Sequence, residues 1–460
     1  FCSCKGEFIS HAAEMELKMK KIIIGENPMS LEEFAGKELS NYLERLFQIK
    51  PEILTADTYI DTGEEANGIF FLCRPDCHRA NLYKHWNGKV PDLSEQGFVI
   101  KSIGNKAIWV FSNKPIALLW AVYELVGRWG VVFSLQGDVF PSKKPEQLII
   151  SIDEVFEPKQ ELRSWRLMND LIFGPVSWTI KQQKKVIEQL VKQKYNGALF
   201  CMWPHQPFVN YEVDGISRKS CGFNFGMKMP VTKDNIGFDK LYPTDNYENP
   251  EYMNCRTFNE YYNIAYHYAT DVMEYAKFFD MTLTLSFQPF DFNPEYASLL
   301  EKPNLVNQLG EVTICESGDI FNPGHINLIQ KQLEAYTSTY PLVDLYQIGL
   351  PEHARNTTSF EDAWKSLNSK FGLSPKYSIE ELLHNRVSGN ITAGGFERSV
   401  NEGKMTLVMI DVLHKLIEKT GFLNTLENKG KRLGISAGMS CPSIIPVVSD
   451  ILWKKATFTI

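Results

Sequence analysis

The sequence lacks the features that mark several large classes of protein. No apolar run approaches the roughly 20 residues that a membrane helix needs, because the best stretch, from Ile116 to Phe133, is interrupted by Glu124 and Arg128. Basic residues are slightly outnumbered, with 48 Lys and Arg against 55 Asp and Glu, and they form no stripe. Neutralising phosphates requires clustered cations, so no nucleic-acid partner is expected.

Several catalytic motifs are also missing. The chain has no Gly-x-Ser-x-Gly elbow, no phosphate-binding Gly-Lys-Ser/Thr loop and no His-Glu-x-x-His helix. Seven of its nine cysteines are scattered, and Cys73, Cys77 and His78 have no second cluster to complete a four-ligand metal site. We therefore expect neither a metal nor another cofactor.

The composition that remains is globular, with 460 residues, 22% of them charged and 12% aromatic, which favours two or three domains. Residues 1–16 begin Phe1-Cys2-Ser3-Cys4 and then turn polar. This pattern is typical of the remnant of a bacterial lipoprotein signal, with Cys4 as the better acylation site. The alternative is that the sequence begins here because of how it was cloned or assembled. The expected location is the periplasm or cell surface, and the only expected membrane attachment is through an N-terminal lipid.

Residues 17–155 are predicted to form a small α+β accessory domain. A strand at 21–25 is followed by a helix with Ser30 as its N-cap and Glu33 completing a capping box. Strands flank Ile103-Gly104-Asn105, where Gly and Asn suit a hairpin turn. A second helix begins near Pro115 and is expected to end at Gly130.

Residues 156–460 alternate strand and helix, which favours an α/β fold with a parallel sheet. The first strand ends in Met168-Asn169-Asp170, without the Gly-rich turn of a doubly wound sheet. We therefore predict a (β/α)8 TIM barrel that is truncated after about six strands, and a chain that is a fragment of a longer protein. The predicted strands are 163–168, 196–203, 281–287, 345–350, 432–437 and 456–460.

Reacting groups in such barrels lie where the strands end. The residues after the first four strands here are amides, carboxylates, an indole and imidazoles. That mixture suits a sugar, because amides and carboxylates pair with hydroxyls and an indole covers an apolar sugar face. The candidate site residues are Asn169, Asp170, Trp203, His205, Asp291, Glu352 and His353.

Glu352 is the candidate general acid. It comes after the apolar strand that ends at Leu350, and an acid at such a strand end can be partly desolvated, which raises its pKa. Each candidate has a structural alternative. Glu352 would instead cap a helix or pair with Arg355. Asp170 and Asp291 would stabilise turns. Trp203 and His205 would make only ordinary packing contacts.

The N-terminal third resembles a known domain. Ile22-Ile23-Ile24-Gly25, the helix from Leu31 to Leu46, the segment from Ala121 to Val131 and Gly137-Asp138-Val139-Phe140-Pro141 are similar to the accessory domain that precedes the barrel in family 20 hexosaminidases and in α-glucuronidases of families 67 and 115. The resemblance implies a barrel glycoside hydrolase with an acid at the end of strand four, which matches Glu352.

This chain departs from those families in one respect. Family 20 enzymes have an Asp directly before the acid, whereas Pro351 occupies that position here, which disfavours substrate-assisted chemistry. No second catalytic carboxylate carries over. The predicted function is hydrolysis of glycosidic bonds in an oligosaccharide or polysaccharide substrate, and the alternative is a glycan-binding surface lipoprotein on a degenerate barrel.

Overall fold

A computed structural model describes residues 21–59, 68–74, 91–168, 175–222, 229–230, 232–234, 246–247, 249–305, 312–314, 319–350, 359–385, 395–436, 444–451 and 457–459. The chain divides into two compact units. The first comprises Phe1–Arg163, Lys185–Asn196 and Phe278–Met281, and the second comprises Ser164–Lys184, Gly197–Lys277 and Thr282–Ile460. No helix within the described ranges is long and apolar enough to span a bilayer.

The first unit contains a six-stranded mixed sheet with the order β2-β1-β3-β5-β4-β8. Strands β1, β2, β3 and β5 run parallel, whereas β4 is antiparallel to both β5 and β8. A separate hairpin is formed by β6 and β7. The strands are β1 (Lys21–Ile24), β2 (Glu52–Thr55), β3 (Ile69–Cys73), β4 (Phe98–Ile103), β5 (Ala107–Ser112), β6 (Val132–Ser134), β7 (Gly137–Val139) and β8 (Asp153–Phe156).

Two helices, α1 (Ser30–Phe47) and α2 (Pro115–Arg128), pack on this sheet and on each other. Helix α1 approaches β1 closely because Gly36 has no side chain, and a Cβ there would lie 3.3 Å from Ile24 Cγ2. Pro115 occupies the first turn of α2 as predicted, and Gly130, with a φ of 92°, lies just beyond the helix end. The sheet core includes the Phe71 and Trp109 rings, which stack at 4.1 Å.

The second unit contains six parallel strands in the order β20-β19-β18-β15-β10-β9. They are β9 (Ser164–Met168), β10 (Gly197–Cys201), β15 (Thr282–Phe287), β18 (Leu345–Gly349), β19 (Arg432–Ser436) and β20 (Thr457–Thr459). Three small antiparallel pairs are inserted between them, namely β11 (Glu212–Val213) with β12 (Ile216–Ser217), β13 (Met229–Pro230) with β14 (Asn246–Tyr247), and β16 (Pro303–Leu305) with β17 (Val312–Ile314).

Helices connect these strands. They are α3 (Ile180–Lys192), α4 (Phe258–Phe278), α5 (Pro323–Thr339), α6 (Phe360–Phe371), α7 (Ile379–Asn385), α8 (Gly395–Thr420), α9 (Phe422–Asn428) and α10 (Ile445–Ile451). Short 3₁₀ turns cover Pro175–Ser177, Pro250–Tyr252 and Pro294–Leu299.

The strand order distinguishes two kinds of α/β sheet. A doubly wound sheet reverses its order at a switch point, whereas here each successive strand is added on the same side. Right-handed crossovers then place the connecting helices on one face, as in a barrel. The α/β class and the parallel sheet are therefore confirmed, and the six strands do not close into a barrel within the part of the chain that the structure describes.

The structure corrects several local predictions. The N-cap of α1 is Met29, whose N–H donates to the Glu32 carboxylate at 2.7 Å, so Ser30 and Glu33 do not form the cap. In the 103–105 turn only Gly104 has a positive φ, and Asn105 does not. Elements that the sequence patterns did not reveal include β2, β7, β8, α6, α7, α9 and the three small antiparallel pairs of the second unit.

Candidate functional site

The parallel sheet of the second unit has two chemically different faces. Side chains alternate along each strand, so residues paired in register share a face. One face presents Phe200, Leu285, Ile348 and Ile435, which are all apolar. Toward the carboxyl ends of the strands, the other face presents small or polar residues: Cys201, Thr284, Ser286, Gln347, Gly349, Gly434 and Ser436.

Contacts confirm which face meets the helices. The Phe287 ring stacks on Tyr336 of α5 at 4.4 Å, and the Tyr346 hydroxyl donates to the Tyr340 carbonyl just after α5. Helices therefore cover the apolar face. The polar face lies on the opposite side of the sheet, and several of its residues, including Cys201, Thr284 and Gln347, are buried.

Glycines make room for amides on the polar face. A Cβ on Gly434 would lie 3.3 Å from both Cβ and Cγ of Gln347, and one on Gly349 would lie 3.3 Å from Cγ of Gln288. Gln347 is 2% exposed and Gln288 is half-buried at the end of β15. Burial raises the pKa of the Cys201 thiol, which bonds to Ser286, so this cysteine is held as a neutral thiol rather than a nucleophile.

The segment after β10 carries Trp203 and His205. Trp203 is half-buried and His205 is 4% exposed. A local turn orients them, because the Trp203 N–H donates to Gln206 Oε1 at 2.8 Å and the Gln206 N–H donates to the Trp203 carbonyl at 3.0 Å. The His205 carbonyl accepts from Gly222 N–H at 3.0 Å. Trp203 is thus partly accessible as a residue, whereas His205 is packed within the loop.

Arg218 organises this loop and was missed by the sequence analysis. Its side chain is buried, and its guanidinium donates to the carbonyls of Pro204, Gln206 and Val209, each at 2.7 Å. The guanidinium also lies 4.9 Å from the centre of the Phe258 ring. One planar group therefore fixes three points of the segment that contains Trp203 and His205.

The loops after β10 and β15 are joined. The Glu295 carboxylate accepts from the N–H of Lys219 at 2.5 Å and from the N–H and hydroxyl of Ser220, each at 2.7 Å. Burial alone would raise the pKa of Glu295, but these donors outweigh it and lower the pKa. Asn293 adds a bond to the Ser220 carbonyl at 3.1 Å. Glu295 is thus an ionised structural carboxylate.

Asp291 lies in the same second loop, between β15 and the Pro294–Leu299 turn. It is 7% exposed, and its carbonyl accepts from Gln332 of α5 at 3.4 Å. The bonds between the loops bring the segment that carries Asp291 beside the segment that carries Trp203 and His205. These three predicted residues therefore share one edge of the sheet.

Three buried side-chain atoms of tryptophan, glutamine and asparagine in these loops have no hydrogen-bond partner within the described ranges. They are Trp203 Nε1, Gln206 Nε2 and Asn293 Oδ1. Buried polar groups in folded proteins are nearly always paired with protein or ordered water. Atoms of the same kind occur elsewhere in the described residues, such as Trp120 Nε1, so these three do not by themselves mark a ligand site.

The other predicted site residues lie outside the described residues. These are Asn169 and Asp170 after β9, and Glu352 and His353 after β18. Within the described ranges, no group of three or more His, Cys, Asp or Glu residues is placed to hold a metal ion.

Sequence comparison finds no family model that matches the chain and no match among curated proteins. Comparison with solved structures finds a GH138 enzyme targeting pectin rhamnogalacturonan II, at 11% identity and a TM-score of 0.44, with 95% of this chain and 38% of that chain covered. A GH20 β-N-acetylhexosaminidase from Streptomyces coelicolor A3(2) is 12% identical with a TM-score of 0.44 and coverage of 91% and 70%.

A third neighbour is a GH115 4-O-methyl-α-glucuronidase with specificity for decorated arabinogalactans, at 12% identity and a TM-score of 0.41, with coverage of 91% and 45%. The chain thus spans well under two thirds of the length of the GH138 and GH115 enzymes. These three neighbours are glycoside hydrolases of families 138, 20 and 115.

Proposed function

We propose that this chain belongs to a glycoside hydrolase built on a (β/α)8 barrel, whose substrate is an oligosaccharide or polysaccharide. The observation that carries the proposal is the polar face of the singly wound parallel sheet, where Ser286, Gln288 and Gln347 lie near the carboxyl ends of β15 and β18. Amides and hydroxyls at that end of a barrel are suited to hold sugar hydroxyls.

In this proposal Glu352 is the general acid. It follows Leu350 by two residues in the sequence. Leu350 is itself fixed to the sheet, because its N–H donates to the Ser436 carbonyl at 2.8 Å. The carboxylic acid would protonate the leaving glycosidic oxygen as positive charge develops on the sugar ring.

The remaining candidates would bind the sugar. Trp203 offers an aromatic surface to an apolar sugar face, and Asp291 and His205 lie on the loops beside it. Asn169 and Asp170 follow β9 in the sequence and His353 follows Glu352, so the proposal assigns them to the same sugar site as residues that come after strands.

The test compares the full chain with its Glu352→Gln variant on a panel of aryl glycosides with good and poor leaving groups. Loss of a general acid should reduce kcat/KM by about two to four orders of magnitude for poor leaving groups, and much less for an activated phenol that needs no protonation. Glu361→Gln, at an exposed position in the first turn of α6, is the matched control and should retain full activity.

Equal activity of the Glu352→Gln variant on poor leaving groups would refute the role of this residue. If the unmodified chain binds oligosaccharides in calorimetry but hydrolyses none of the panel, the non-catalytic glycan-binding alternative replaces the hydrolase.

A further inference from the structure

The first unit contains a cleft that is separate from the proposed sugar site. Its volume is about 380 Å³, within the roughly 300–1,000 Å³ range of small-ligand sites. One face of helix α1 supplies Glu38, Asn41, Tyr42 and Arg45 at the three- and four-residue spacings that bring helical side chains together. Asp138 of β7 and Lys192 of α3 complete the lining, along with Glu44.

Two of the residues that line this cleft, Asp138 and Lys192, are already paired with each other within the protein. Both Asp138 oxygens lie 3.0 Å from the Lys192 ammonium, and one also accepts from the Tyr42 hydroxyl at 2.6 Å. Gln189 Nε2 donates to the other oxygen at 3.0 Å. The Asp138 and Lys192 charges therefore neutralise each other and form a fixed wall, not a free ligand group.

Arg45 differs from Asp138 and Lys192 because its guanidinium is not paired with another described residue. Its guanidinium lies 3.7 Å from the centre of the Phe140 ring, and it makes no hydrogen bond or ion pair with the described part of the chain. Arg45 is exposed, and its contact with the Phe140 ring leaves its N–H donors open to solvent or to a ligand. A planar fork of this kind matches the two oxygens of a carboxylate.

Glu38 and Asn41 provide groups of a different kind. The Glu38 carboxyl accepts from the Tyr123 hydroxyl of α2 at 2.9 Å and bonds to the Asn41 side chain. Burial raises the pKa of Glu38, so its carboxyl takes up a proton more easily than a solvated one. A carboxyl and an amide side by side are suited to ligand hydroxyls.

We propose that this cleft binds a hydroxylated monocarboxylate, such as a sugar acid, with its carboxylate on the Arg45 guanidinium and its hydroxyls on Glu38 and Asn41. Glu44 restricts the charge of the ligand, because its exposed carboxylate adjoins Arg45 in sequence and would repel a dianion more than a monoanion.

Binding in this cleft should depend on pH. The charged and titratable groups around Glu38 are Lys192 of α3, Tyr123 of α2, Asp138 of β7 and Tyr42 and Arg45 of α1. Because Lys192 is paired with Asp138, an incoming anion adds net negative charge beside Glu38 and favours its protonated form. Binding of an anion should therefore be coupled to the uptake of a proton, and its affinity should fall as pH rises. An amine ligand would show the opposite dependence, with higher affinity at higher pH.

The experiment titrates the full chain with D-gluconate by calorimetry, at about pH 5.5 and about pH 7.5. We expect tighter binding at the lower pH, at least tenfold weaker binding by Arg45→Leu, and an intermediate loss for Arg45→Lys, which keeps the charge but not the fork. Lys37→Leu is the matched control on the same helix, since Lys37 is exposed and does not line the cleft.

Glucose and propionate, which have only the hydroxyls or only the carboxylate, should each bind more weakly than gluconate. The proposal is overturned if gluconate does not bind at about 10 mM, if Arg45→Leu binds as well as the unmodified chain, or if affinity rises with pH. Circular dichroism of the variants checks that each is folded.

Discussion

Gln347 fills space that Gly434 leaves open on the neighbouring strand, where a Cβ would approach Cβ and Cγ of Gln347 to 3.3 Å. The pair lies in register across β18 and β19, on the polar face of the parallel sheet. The position of this buried amide therefore depends on the residue beside it having no side chain.

We expect Gly434→Ala to displace Gln347 and to destabilise the fold by about 1 to 3 kcal/mol, because the added methyl group overpacks the sheet. Urea unfolding followed by tryptophan fluorescence measures this. Gly127→Ala is the control, since a Cβ at this exposed position of α2 has no neighbour within 4 Å, and it should raise stability by about 0.5 to 1 kcal/mol. Equal effects of the two substitutions would contradict the packing role.

Arg218→Lys should loosen the loop that carries Trp203 and His205. A lysine cannot satisfy the three carbonyls that Arg218 bonds at 2.7 Å, and each carbonyl left unpaired costs about 1 to 3 kcal/mol. Hydrogen exchange of the amides in residues 203–211 should become faster. Lys219→Gln, at the exposed neighbouring position, is the control and should leave exchange unchanged. Unaltered exchange in Arg218→Lys would show that Arg218 is not needed to keep the loop in place.

His414 of α8 should make stability depend on pH. Burial, and then the nearby Lys370 charge, lower its pKa from 6.5 to about 4. The neutral ring is favoured in the fold, so between these values the unfolded chain binds more protons. The stability present above about pH 6.5 is therefore lost as pH falls toward 4, up to about 3 kcal/mol in total.

His414→Leu should flatten this part of the stability curve, measured by urea unfolding between about pH 4.5 and about pH 7. The exposed His267→Gln serves as the comparison and should keep the full slope. If His414→Leu keeps the same slope, other groups cause the pH dependence.

Asp138→Asn should be strongly destabilising. The substitution leaves the Lys192 ammonium, whose side chain is 9% exposed, without its charged partner, and breaking a buried pair in this way costs about 3 to 5 kcal/mol. Asp153→Asn removes a carboxylate that is 69% exposed and 3.1 Å from Lys101. The exposed pair should contribute less than about 1 kcal/mol to the free energy of unfolding. Thermal or urea unfolding of the two variants measures both losses. Similar losses for both variants would contradict the assigned burial.

Much of the fold could be predicted from the sequence because periodicity is a local property. The strand of the second unit from Thr282 to Phe287 alternates polar and apolar residues, and the helix that begins at Pro115 carries its own start and stop signals. The same alternation places Thr284 and Ser286 on one side of the strand and Leu283 and Leu285 on the other. A sheet with one polar face could therefore also have been predicted from the sequence.

The sequence alone determined that this chain has an α+β segment followed by strands and helices in alternation, since the composition and spacing of neighbouring residues decide which local structures form. Only the tertiary structure decided which distant residues meet: that Arg218 reaches back to Pro204, that Asn293 joins Ser220, and that Arg45 lies on Phe140. Such contacts depend on how separate segments pack, and no local pattern records the partner of a side chain that lies far away along the chain.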